Sequence, residues 1–153
     1  MDERRIAETV ESVVRAVRGI TLPQAKKLVA AVEKRALFEG VRVVVAVSDA
    51  GGNPVLCERM CDAYLASWDI ALQKSYTSAA LKMSTAELGK QAAPGGPLAG
   101  IENTNGGRIV IFGGGEPLER GGRVVGGLGV SGGTAEQDTA LAAYGKSIFG
   151  EIE

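Results

Sequence analysis

Polar and apolar positions alternate at helical spacing over the first 40 residues and predict two helices. The first covers residues 3–18, with an apolar stripe on one face and charged residues on the other. The second begins after Thr21, because Gln24 three residues later completes a capping box, and it ends at Gly40. The stripe of the first helix consists of Ile6, Val10, Val13, Val14 and Val17.

The pattern then changes to short apolar runs separated by turn residues. Residues 41–48 are nearly all apolar and rich in Val, which predicts a buried strand. The turn at residues 49–54 and the apolar run at 55–60 complete a predicted hairpin. A helix is predicted over residues 64–81, and a shorter one follows Ser84 or Thr85 and ends at Gly89.

The last third of the chain predicts three strands and a closing helix. Residues 92–107 form an irregular loop rich in Gly and Pro, and residues 108–112 are a predicted strand. Strands over 117–120 and 123–130 flank a Gly-Gly turn, and a helix covers 134–149. Because the strands come in hairpins, the pattern predicts an α+β fold with a five-stranded antiparallel sheet flanked by helices.

Glycines concentrate in residues 113–138 and make this stretch the main candidate for a binding site. The segment Gly129–Gly133 leads into Thr134, where Gln137 completes a capping box. Free backbone amides at the start of a helix can bind a carboxylate or a phosphate. The alternative is that the glycines serve turns and close strand packing. The predicted ligand-binding residues here are Gly113, Gly114, Ser131, Gly132 and Gly133.

Charge and length exclude several classes of protein. The 153 residues can form one domain with a core, and the net charge of −1 offers no basic surface for nucleic acid or for a membrane. The N-terminus is charged and lacks the apolar run of a secretion signal. The predicted location is therefore cytoplasmic.

The absence of histidine from the sequence removes many catalytic and metal sites. Ser-His-Asp and Cys-His triads, the HExxH zinc motif and haem ligation by imidazole all need this residue. The two cysteines, Cys57 and Cys61, are too few for a disulfide framework, and their spacing is not the CxxC of zinc or redox motifs. They are predicted to be reduced thiols.

Four segments together resemble the GlcG/HbpS family, which includes the C-terminal domain of PduO-type proteins. The match runs from about Leu22 to Ile148. The segments are VAVSDAGGNPV at 45–55, Arg59-Met60 with SWDIALQKSYTSAAL at 67–81, GGPL at 95–98 with GGGEPL at 113–118, and VVGGLGVSGGTAEQD at 124–138. In the family, the residues after Arg59-Met60 often read Asp-Gly-Ala, whereas this chain has Cys61, Asp62 and Ala63.

The resemblance implies a profilin- or PAS-like layout for residues 20–153, and homo-oligomers from dimers to octamers. It implies a haem- or corrinoid-binding accessory protein of a small-metabolite pathway. In PduO-type proteins the adenosyltransferase activity belongs to a separate N-terminal domain, which this chain does not match. With no histidine, the candidates for a haem ligand are Cys57, Cys61 and Met60, and also Met83, Tyr64 and Tyr76. The alternative is that Cys57 is a small buried apolar residue.

Three charged residues complete the predicted site, namely Arg59, Asp69 and Lys74. A lysine beside a glycine-rich loop could neutralise a bound carboxylate, and the alternative is that Lys74 is a solvated surface residue. An enzyme acting on a small hydroxy acid or aldehyde is the second functional hypothesis, with Lys74, Asp69 or Cys57 as its reactive group. Binding is favoured because no nucleophile has a recognisable base beside it.

The amphipathic helix in residues 1–19 precedes the part of the chain that resembles the family. It is similar to the short helices that direct proteins into bacterial microcompartments, which predicts shell or cargo proteins as partners. The alternative is that it packs on its own domain or on a neighbouring subunit. An oligomeric assembly protein is the third functional hypothesis.

Overall fold

The computed structural model describes residues 2–153, and the side chains of all of these except residues 15–17. The helices are α1 (Glu3–Val17), α2 (Leu22–Phe38), α3 (Ala66–Leu81), α4 (Thr85–Gln91) and α5 (Ala135–Phe149). The strands are β1 (Val44–Asp49), β2 (Pro54–Arg59), β3 (Gly115–Arg120) and β4 (Arg123–Ser131). Two short 3-10 turns, Ile101–Asn103 and Asn105–Gly107, lie in the predicted loop.

The four strands form one antiparallel sheet in the order β2-β1-β4-β3, so the predicted fold class is confirmed. The prediction of a fifth strand at 108–112 is wrong. There the amide of Val110 donates to Oγ1 of Thr77 on α3 over 3.1 Å. Because a helix side chain takes the amide that a neighbouring strand would need, residues 108–112 run beside α3 without joining the sheet.

Strand β1 is buried on both faces and divides the core into two parts. Val45 and Val47 pack with α2 and α5 in the larger cluster, whereas Val44 and Ala46 pack with Ala71 of α3 in the smaller one. This alternation is the period of two that a strand imposes on its side chains. Burial of every residue from Val44 to Ser48 explains why the sequence there is a continuous apolar run.

Glycines of β4 set the close approach of α3 to the sheet. A Cβ at Gly127 would lie 2.8 Å from Oγ of Ser78, and a Cβ at Gly129 would lie 2.7 Å from the amide of Ser75. Real side chains do not tolerate such distances, so the helix backbone rests on the strand only because these two positions lack a side chain. Close packing, the alternative for the glycine-rich stretch, accounts for these two residues.

Helix α1 presents apolar side chains to solvent. Ile6, Val10, Val13 and Val14 are exposed, and Val17, the last member of the predicted stripe, lies outside the described side chains. After the helix, Thr21 and Gln24 form the predicted capping box of α2. The division of the chain into residues 1–19 and 20–153 stays a prediction. Within residues 2–153, no helix combines the length and the apolar character needed to cross a membrane.

Candidate functional site

A cavity of about 270 Å³ lies between the start of α3 and the junction of β4 with α5. We call it the α3–α5 cavity. Apolar groups form most of its wall, among them Ile70 of α3 and the ring of Phe112. Polar groups reach it from Ser67, from Asp138 and from the backbone of residues 131–133. The site predicted at the glycine-rich junction therefore borders a real cavity.

A buried ion pair stands directly behind this wall. Lys74 is completely buried, and its Nζ donates to Oδ2 of Asp138 over 3.0 Å and to the carbonyl oxygen of Val130 over 2.8 Å. The Nζ also lies 5.0 Å from the centre of the Phe112 ring. Burial lowers the pKa of Lys74, and the nearby Asp138 carboxylate opposes part of that change. Lys74 is thus not the solvated residue of the alternative interpretation.

The amides at the β4–α5 junction are already paired within the chain. Gly133 N donates to Oδ1 of Asp138 over 2.8 Å, and Gly132 N lies 3.4 Å from Oδ2. Thr134 N donates to the side chain of Gln137 over 2.9 Å. The expectation of free amides for an external anion is therefore wrong at Gly132 and Gly133, because Asp138, an internal carboxylate on the first turns of α5, takes that place. Ser131, Gly132 and Gly133 border the α3–α5 cavity, and their contact with a ligand there stays a prediction.

Gly114 lies beside the ion pair and Gly113 lies beside α5, and neither borders the α3–α5 cavity. Gly114 has φ of +121°, and a Cβ there would lie 2.6 Å from Nζ of Lys74. At Gly113, a Cβ would collide with the side chain of Thr139 on α5. Gly114 therefore makes room for the amine of the buried Lys74, and Gly113 makes room for α5.

Tyr64 lines both the cavity and a shallow groove of about 510 Å³. The groove shares the backbone of Gly132 and Gly133 with the cavity and contains the charged residues Arg42 and Asp62. The side chain of Tyr64 is mostly exposed, as is that of Leu65 next to it. The rim thus offers an aromatic ring, a phenol oxygen, one guanidinium and one carboxylate.

Two of the predicted charged residues lie outside the α3–α5 cavity. Arg59 is exposed at the end of β2, where its Nη1 donates to the carbonyl oxygen of Ala63 over 3.1 Å. Asp69 is exposed on α3 and accepts from Nε2 of Gln73 over 3.3 Å. The helix places Asp69 and Lys74 on different faces, so only Lys74 meets the cavity region. A ligand role for the other two stays a prediction.

The predicted haem-ligand candidates differ in their burial and in whether they border the α3–α5 cavity. Cys57 is half-buried against Val44 and Ala46, and burial raises its pKa to about 11, so its thiol is protonated at neutral pH. Met60 packs against the main core, and Cys61 is exposed. None of these three borders the α3–α5 cavity, whereas Tyr64 does. Among residues 2–153, no group of three or more Cys, Asp and Glu side chains could hold a metal ion.

The turn at residues 61–63 keeps the backbone that a glycine would suit. Asp62, which stands where the family pattern often has Gly, has φ of +68°. Aspartate is one of the few residues that adopt this left-handed conformation readily. The departure in sequence therefore leaves the turn, and the groove that Asp62 borders, in place.

Sequence reasoning missed Asp138, Phe112 and Ser67 as members of the site. A signal for the burial of Lys74 was present on α3, because Ala71 and Ser78 share its face at three and four residues' distance. A lysine amid small residues on one helix face indicates close packing. No local signal indicates that Asp138 would turn toward it, since the two residues meet only after the chain folds.

Comparisons with known proteins agree with the resemblance found in the sequence. A family model described as haem degrading protein HbpS-like matches residues 20–146. A 15.0 kDa protein encoded in the dhaT-dhaS intergenic region of Citrobacter freundii is 49% identical over 136 residues, which are 89% of this chain and 96% of that protein. The corrinoid adenosyltransferase PduO of Salmonella typhimurium is 44% identical over 74% of this chain, but that match spans only 33% of PduO.

One similar solved structure contains a ligand. The crystal structure of a PduOC:heme complex is 39% identical in sequence and has a TM-score of 0.80. The alignment covers 84% of this chain and 94% of that one.

Proposed function

Because this chain belongs to the HbpS-like family, we propose that it is an accessory protein that binds a small ligand in the α3–α5 cavity. The observation that carries this proposal is the cavity itself, which has apolar walls and a buried ion pair behind them. Ligand sites are usually concave and mainly apolar, with a few polar groups that fix orientation. The cavity meets this description.

Haem is the first ligand to test, because the relative PduOC forms a haem complex. The donor groups fit a haem held through oxygen: Tyr64 would supply a phenolate, and Ile70 and Phe112 would contact the porphyrin. Arg42 in the adjoining groove would pair with a propionate. When bound, haem supplies an iron centre whose properties depend on its axial ligand. The exposed rim suits a haem that is exchanged more readily than one enclosed in a deep pocket.

A haem titration of the full chain tests this proposal. We expect a Soret band that saturates with haem, and a changed spectrum with weaker binding in Tyr64→Phe. Tyr144→Phe is the matched control, because Tyr144 lies under Arg35 and does not border the α3–α5 cavity. A titration without a saturable band, or equal spectra for the two variants, would overturn haem binding through Tyr64. A parallel titration with hydroxocobalamin distinguishes a corrinoid from haem.

We further propose a homo-oligomer, located in the cytoplasm or inside a bacterial microcompartment, in which α1 packs on a neighbouring subunit or on shell or cargo proteins. The exposed apolar side chains of Ile6, Val10, Val13 and Val14 support this assembly role. Removal of residues 2–19 should reduce the size of the oligomer or abolish co-localisation with microcompartment proteins. If neither changes, α1 has no part in assembly.

The enzymatic alternative has one observation in its favour. Of the three reactive groups that the sequence indicates, only Lys74 lies next to the cavity, since Asp69 is exposed on another face and Cys57 lies elsewhere. Any reaction with a hydroxy acid or an aldehyde would therefore involve Lys74. Replacement of Lys74 should abolish such turnover, whereas Asp69→Asn should leave it unchanged.

A further inference from the structure

The amine of Lys74 lies one side chain behind the wall of the α3–α5 cavity. Two of the groups that contact its Nζ, Asp138 and Phe112, themselves border the cavity. The Nζ donates hydrogen bonds to Val130 O and Asp138 Oδ2 and lies near the face of the Phe112 ring. A ligand in the cavity would therefore meet the amine as soon as that ring moved aside.

Phe112 is placed so that it can move without disturbing the sheet. Its side chain is 48% exposed and belongs to an irregular segment between the 3-10 turns and β3. Exposed side chains change rotamer on the picosecond to nanosecond timescale. The carboxylate of Asp138, by contrast, is held by the amides of Gly132 and Gly133. The ring is the movable part of this cover, and the ion pair is the fixed part.

The charges behind the wall favour an uncharged ligand. Lys74 and Asp138 form a buried pair with opposite charges, so the site has no net charge with which to attract an anion. The amides of Gly132 and Gly133, which the sequence offered for an anion, already donate to Asp138. The apolar wall at Ile70 likewise suits a short hydrocarbon chain. A small neutral carbonyl compound matches these properties, because an amine and a carboxylate would then flank its reactive carbon.

We propose that Lys74 is a carbonyl-reactive amine that condenses reversibly with a small aldehyde entering past Phe112. Asp138 accepts a proton from the ammonium, and the free Nζ forms a bond to the carbonyl carbon while the π electrons move to oxygen. The Asp138 carboxyl returns this proton to the oxygen, which becomes a hydroxyl. The carboxylate then accepts a second proton from the nitrogen and delivers it to the hydroxyl, which leaves as water while the nitrogen lone pair forms the C=N bond. The product is a protonated imine paired with Asp138, formed without oxidant or reductant, and water reverses the step.

The burial of Lys74 supports this chemistry, because a lowered pKa leaves more of the amine uncharged at neutral pH. Among the residues that the structure describes, Asp138 supplies the charged group in contact with Nζ of Lys74. The inference rests on the proposal that the α3–α5 cavity is the ligand site, but it does not depend on haem as the ligand.

The test traps the imine in the folded wild-type chain. The protein is incubated with butanal and sodium cyanoborohydride near pH 7.5, and the modified lysines are mapped by peptide mass spectrometry over time. We expect Lys74 to be modified several-fold faster than the exposed Lys34, because burial lowers the pKa of Lys74 and leaves more of its amine uncharged. If Lys34 is modified while Lys74 stays intact, the proposal is wrong. This measurement needs no variant, so a failure to fold cannot obscure it.

Two variants then test the roles of the neighbours. Phe112→Ala should increase the rate at Lys74 several-fold, and Phe38→Ala is the control because Phe38 is 85% exposed at the end of α2. Asp138→Asn should slow modification of Lys74 and leave Lys34 unchanged. Equal rates in all variants would mean that Phe112 does not control access to Lys74 and that Asp138 is not the proton acceptor. Haem binding without modification of Lys74 would refute only the imine, and modification without a Soret band would refute only haem.

Discussion

Nζ of Lys74 lies 3.0 Å from Oδ2 of Asp138, although 64 residues separate them in the chain. This contact joins α3, on one face of the sheet, to the first turns of α5. The same carboxylate accepts from the amide of Gly133, so one side chain neutralises a buried cation and caps the end of β4. The ion pair therefore connects the stability of the fold to the shape of the α3–α5 cavity.

Removal of the cation should destabilise the protein strongly. Lys74→Met leaves the buried carboxylate of Asp138 without its partner, and we expect a loss of about 3 kcal/mol in the free energy of unfolding. Urea denaturation measures this change, and Lys34→Met, at an exposed position of α2, is the matched control. In a double-mutant cycle, the loss in Lys74→Met with Asp138→Asn should be smaller than the sum of the single losses. Additive losses would mean that the two residues are not coupled.

The hydroxyl of Thr77 on α3 should help to hold the segment at 108–112 in place. Thr77→Val removes the oxygen that accepts from Val110 N and leaves a half-buried amide without a partner, which costs about 1–3 kcal/mol. Thr77→Ser keeps that oxygen and should cost clearly less. Hydrogen exchange should show that the Val110 amide loses protection only in Thr77→Val. Equal exchange in both variants would indicate that another group holds this segment.

The two cysteines should differ in reactivity with iodoacetamide. Burial raises the pKa of Cys57 to about 11, so at pH 8 only about one thiol in a thousand is the reactive thiolate. Cys61 is exposed and should react at the rate of an ordinary thiol. In Cys61→Ser the remaining thiol should therefore react about two orders of magnitude more slowly than that in Cys57→Ser. Labelling of Cys57 should accelerate as the pH rises toward 11, and a flat pH profile would contradict its burial.

The turn at residue 62 offers a stabilising substitution. Asp62 has φ of +68°, a conformation that costs a residue with a side chain more than it costs glycine. Asp62→Gly should therefore raise the free energy of unfolding by roughly 0.5–1 kcal/mol after the greater entropy of the unfolded glycine is counted. Asp62→Ala should lower the free energy of unfolding, because alanine lacks both the backbone freedom of glycine and the polar side chain with which aspartate adopts positive φ. Thermal unfolding of the two variants decides the sign, and a loss in both would mean that the aspartate side chain stabilises the turn.

Local interactions made much of the fold predictable. The capping boxes at Thr21 and Thr134 and the helices that follow them were predicted correctly, because each depends on residues only three positions apart. The turn between β3 and β4 was also predicted, since Gly121 and Gly122 both have positive φ. The prediction of a strand at 108–112 was wrong because a contact distant in the sequence overrides the local pattern. Its apolar pattern suits a strand, but its amide is taken by a helix that the local pattern does not show.

The sequence by itself determined the helices, the two hairpins and the family, and it directed attention to the glycine-rich junction. Only the tertiary structure decided what occupies that junction. A carboxylate five residues beyond Gly133 is always close to its amide, so Asp138 competes for that bond better than a dissolved anion could. The same carboxylate compensates the burial of Lys74, and such a pairing arises only when α3 and α5 meet across the end of the sheet.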